Sequence, residues 1–72
     1  MSEKKREAFL RLATRRTTSV IDRIRVLSNC SNPYAYEYTE EDVKKIFAAI
    51  DKELKAARLK FQQHENRTFT LE

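Results

Sequence analysis

The chain predicts an all-α fold: two amphipathic helices that fold back as an antiparallel hairpin and pair with a second copy into a four-helix-bundle homodimer. Three observations carry this reading. The 72 residues contain no glycine and a single proline, Pro33. Apolar residues recur every three or four positions over about 3–28 and again over about 40–63. Only the segment 29–38 between them interrupts the rhythm, and it holds the proline.

In the first element Leu10, Ala13, Thr17, Val20, Ile24 and Leu27 fall at alternating steps of three and four, with Phe9, Leu12 and Ile21 widening the stripe. Val20 and Ile24 are β-branched, yet propensity is a weak prior beside a run this periodic. The segment from Asn29 to Tyr38 then ends the helix. With no glycine to hand, Asn29 and Asn32 are the residues expected to take a left-handed terminating conformation. Pro33 lacks an N–H and forces Asn32 toward extended backbone, so the first helix cannot run through it.

Thr39 is placed to cap the second helix, and Glu40, Glu41 and Asp42 sit at the positive end of its dipole. Val43, Phe47, Ile50, Leu54, Ala57 and Phe61 form the seam, with Ile46 beside it. Lys55, Arg58 and Lys60 gather toward the negative end. The domain is expected to span 1–65, with its second helix ending near 63. A flexible tail, 66–72, follows, in which Leu71-Glu72 looks like a cloning scar.

A chain of this size rarely builds a stable core without a staple. Cys30 is the only cysteine, so no internal disulfide is available. Cys30 and His64 are too few soft ligands for a structural metal, and no cofactor or metal is expected. Association remains, with itself or with a protein partner. Covering a further ~600 Å² of apolar surface contributes roughly 15 kcal/mol before ordering costs, which decides between a marginal and a stable state.

Charge is unevenly distributed. Residues 1–28 carry eight Lys/Arg against three acids, whereas residues 39–65 balance six against six. On the first helix Lys4, Arg11, Arg15 and Arg25 share a face away from the apolar stripe, a ridge that would suit a phosphate backbone. Glu7 and Asp22 partly neutralise it, and the bland alternative is a solvated face. Tyr34, Tyr36 and Tyr38 alternate in the connection, so in an extended strand they would point one way, as a partner surface or a stacking platform. The competing reading has these rings capping the open end of the hairpin.

No nucleophile–base arrangement, phosphate loop or metal cluster is present, and enzymatic activity is not expected. No small-molecule ligand is predicted. The lone cysteine and the lack of a spanning or leading apolar segment point to a cytoplasmic protein with no membrane association.

From Asn29-Cys30-Ser31-Asn32 through Tyr36-Glu37-Tyr38-Thr39, and over about 8–61 as a whole, the chain resembles a group of short bacterial helical proteins of Gram-positive genomes and mobile elements. The resemblance implies no activity and assigns no residue a role. It does imply that the connection is the distinctive part of the molecule. The expected function is therefore a self-associating, non-enzymatic interaction or accessory protein. The alternative is an accessory protein that binds nucleic acid through its first helix.

Overall fold

The computed structural model describes residues 2–68, with side chains described for 2–64. It divides into two units, Met1–Glu37 and Tyr38–Glu72. Among the described residues there are two α-helices, one 3-10 turn and no strand, so the all-α expectation holds.

In the first unit α1 spans Glu3–Ser28, 26 residues and about 39 Å at 1.5 Å per residue. Ser2 caps it: its backbone is extended and its hydroxyl accepts the Lys5 N–H at 3.4 Å. The Arg6 N–H reaches the Ser2 carbonyl at 3.1 Å. The cap and Glu3 in the first turn offset the three cations, Lys4, Lys5 and Arg6, that crowd the positive end of the dipole.

The end of α1 departs from expectation. Asn29 is right-handed, with φ −66° and ψ −19°, and no described residue has positive φ. The helix tightens instead into a 3-10 turn, Asn29–Ser31, whose first N–H reaches back to the Val26 carbonyl. A 3-10 turn satisfies the last carbonyls without a left-handed residue, which explains why a chain without glycine can stop here. The side chain of Ser28 assists by donating to the Arg25 carbonyl at 2.7 Å.

Asn32 is extended, with φ −67° and ψ 109°, as the following proline requires. Its carboxamide oxygen accepts the Tyr34 N–H at 3.0 Å, and its carbonyl accepts from Ala35 at 3.2 Å and Tyr36 at 3.0 Å. One asparagine thus organises the turn that follows the proline.

In the second unit α2 spans Glu40–Thr68, 29 residues. Thr39 and Asp42 form a reciprocal cap. The Asp42 N–H donates to Thr39 Oγ1 at 3.1 Å, and the Thr39 N–H donates to Asp42 Oδ2 at 2.9 Å. The helix runs past the expected end near 63. Loss of apolar periodicity removes a reason to pack, but no glycine or proline follows to break the hydrogen-bond ladder. The part of the expected tail beyond Thr68 lies outside the described residues.

No described side chain is buried. In the first unit Ala8, Leu12, Ala13 and Leu27 are half-buried by their helical neighbours. In the second, Val43 and Ile50 are. The apolar stripes of both helices are otherwise open.

Candidate interaction surfaces

The apolar stripe of α1 is the larger of the exposed features. Phe9, Leu10, Val20, Ile21 and Ile24 are each between 43% and 52% exposed. Within it Phe9, Ala13 and Thr17 make one row at four-residue spacing, and Leu10, Thr14 and Thr18 make the next. The trough between the two rows is an open groove lined by these six residues. Small side chains at Ala13 and Thr17 deepen it. The Thr18 hydroxyl turns back to the Thr14 carbonyl at 2.9 Å and so leaves the trough clear.

The groove was not anticipated from composition, although four-residue spacing of small and large residues is its signal. A second feature also escaped the sequence reading: the Arg6 guanidinium lies over the Phe9 ring, 5.9 Å from its centroid. Arg6 therefore places its charge over one face of a stripe residue.

On α2 the seam residues Phe47, Leu54 and Phe61 are 50%, 43% and 66% exposed, with Ile46 at 40% beside them. Leu59, 48% exposed, stands apart on the polar face. Its position two residues before Phe61 places it roughly 200° around the helix from the seam.

Lys4, Arg11, Arg15 and Arg25 are all exposed on the side of α1 away from the apolar stripe, next to the Thr14–Thr18 edge of the groove. Thr18 and Asp22 lie among them, and Glu7 follows Lys4 and precedes Arg11 at helical spacing. At helical spacing these four cations and two acids fall on one side of α1.

The tyrosines do not form the alternating strand expected of them. Tyr34 sits inside the turn organised by Asn32 and is 97% exposed, so its ring covers nothing in its own unit. Tyr36, 55% exposed, follows that turn, and Tyr38 opens the second unit at 45% exposed. Proline-driven turn formation overrides simple alternation here.

Cys30 is exposed on the 3-10 turn. Among the described residues no group of three or more His, Cys, Asp or Glu could hold a metal ion. Nor is any described helix long and apolar enough to cross a membrane. No family model, curated protein or solved structure matches the chain.

Proposed function

We propose that this chain is a helical interaction module that folds back on itself and associates with a second copy, α1 and α2 of the two copies forming a four-helix bundle. One observation carries the reading: two long amphipathic helices present continuous apolar stripes, and no described side chain in either unit is buried. In proteins, helices draw most of their stability from packing an amphipathic face. Helices of 26 and 29 residues with clean stripes are made to be covered. The module is non-catalytic and works by assembly, alone or with a further protein bound to the complex.

Sedimentation or light scattering tests this directly. The expected result is a dimer at micromolar concentration, with a melting temperature that rises with concentration. A monomer with a sharp, concentration-independent melt would overturn it.

The basic face of α1 supports a second reading, an accessory protein that tracks a phosphate backbone through Lys4, Arg11, Arg15 and Arg25. That face lies away from the apolar stripe, so both readings can hold in one molecule. Its test is salt-dependent binding of generic duplex and single-stranded nucleic acid, which is absent if the face is only solvated.

A further inference from the structure

We propose that the groove of α1 receives the α2 seam around Ile50 and Leu54 from a second copy of this chain, antiparallel, with Ala13 opposite Leu54 and Thr17 opposite Ile50. The inference rests on the self-association proposed above and adds to it the partner helix and the register.

Shape comes first. A trough between two four-residue rows accepts three-residue ridges of another helix at a shallow crossing of about 20°, which lets the two helices run side by side. Phe47 with Ile50, and Leu54 with Ala57, form such ridges along the α2 seam. Size complementarity then selects the register. With Ala13 opposite Leu54, the neighbouring layers set Leu10 against Ala57, Thr17 against Ile50 and Val20 against Phe47. Each layer matches a smaller residue with a larger one, which fills space evenly. A slip of one heptad toward the C-terminal end of α2 would set Thr17 on Ala57 and Ile24 on Ile50, a thin layer and a crowded one with Val20 on Leu54 between them. The favoured register also brings the Ser28 end of α1 level with the start of α2 at Glu40, so the helices overlap along their whole common length.

Charge agrees independently. Arg16 has no acid three or four residues away on its own helix, and Glu53 and Arg58 likewise lack an opposite charge at those spacings. In this register Arg16 falls opposite Glu53 on one flank of the seam, and Glu7 falls opposite Arg58 on the other. A second α1 is a poorer occupant. On this flank α1 carries the cations Lys5, Arg16 and Arg23 and no acid, so an antiparallel α1 pairing that overlaps along the helix length sets Arg16 against Arg16.

Stripe width points to the second copy. From Phe9 to Ile21 the α1 stripe spans roughly 120°, wider than the seam a single neighbour covers and suited to two. One chain carries only one α2, so the other neighbour comes from another molecule.

The test uses Arg16→Glu and Glu53→Arg separately, as an equimolar mixture, and combined in one chain, each followed by sedimentation and thermal melting. Each single variant should dimerise about tenfold more weakly than the wild type, since two opposed pairs per dimer turn repulsive. Mixing the two single variants should restore wild-type dimerisation, because each copy then offers the charge the other lacks. Restoration only in the combined chain would mean that the groove is filled by its own α2, and would overturn the proposal. Rescue of Glu53→Arg by Lys60→Glu or Arg58→Glu instead would assign the interface to α2 pairing with α2, and would overturn it too. So would the absence of any rescue. A wild-type monomer would instead overturn the underlying self-association, a result read before any variant is made.

Discussion

Thr39 and Asp42 hold each other's backbone: the Asp42 N–H donates to the threonine hydroxyl at 3.1 Å while the Thr39 N–H donates to the aspartate at 2.9 Å. The pair satisfies donors that the first turn of α2 cannot use internally, and it places a carboxylate at the positive end of the dipole. Replacing either residue with alanine should cost about 1 kcal/mol of stability. Because the bonds are reciprocal, the double variant should cost less than the sum of the two. Thermal melts of the four proteins, followed by circular dichroism, measure this. Strict additivity would show that the two bonds act separately.

Ile24 and Ile50 lie at the centres of their stripes, whereas Leu59 is equally apolar but stands on the polar face of α2. Burying an unpaired carboxylate in an interface costs several kcal/mol, and placing one on a wet face costs little. Ile24→Asp and Ile50→Asp should therefore abolish association and lower helicity together. Leu59→Asp should leave the sedimentation coefficient and the melt within about 0.5 kcal/mol of the wild type. Equal damage from all three would remove the seam as the interface.

The two helices and the cap were legible because their signals are local. Thr39 and Asp42 stand three apart, and the stripes follow a period that the helix itself imposes. Legibility failed where a local rule had a competitor. A missing glycine suggested left-handed Asn29, but a 3-10 turn ends α1 at lower conformational cost. The tyrosines alternate in sequence, yet the turn between Asn32 and Tyr36 rotates Tyr34 out of line. Periodicity places the end of α2 near 63 because it reports packing, whereas the hydrogen-bond ladder continues until a residue interrupts it, and α2 runs to Thr68. The α1 groove depends on which small residues stack four apart. Only the three-dimensional rows show that Thr14 and Thr18 border the same trough as Ala13 and Thr17.

Asn32 and Pro33 act together to stop α1 and start the turn. The Asn32 carboxamide holds the Tyr34 N–H, and its carbonyl holds two more. Asn32→Ala should remove the first bond alone and cost about 1 kcal/mol. Pro33→Ala restores an N–H and relieves the restriction on Asn32, so the helix should lengthen into the connection. Circular dichroism should show helicity rising in Pro33→Ala and unchanged in Asn32→Ala. A rise in both would mean that the asparagine, and not the proline, sets the end of α1.

The basic face of α1 makes the last prediction. Arg11 and Arg15 are four apart at its centre, both exposed, and on the opposite side of the helix from the apolar stripe. Reversing both to glutamate changes the charge of the face by four units without touching the apolar stripe. Dimerisation and melting should therefore stay near wild type, apart from the few tenths of a kcal/mol expected for the lost Glu7–Arg11 spacing. If the face tracks phosphates, the wild type should bind generic nucleic acid with an affinity that falls steeply with salt, at a logarithmic slope of about −0.9 per phosphate neutralised on a duplex. Four cations set the upper limit of that slope near −4. The double reversal should abolish binding at low salt, whereas Arg16→Glu, on the flank of the groove, should weaken it far less. Equal losses from both would mean that binding follows net charge and not the ridge, and no binding by the wild type at low salt would leave the face as ordinary solvated surface.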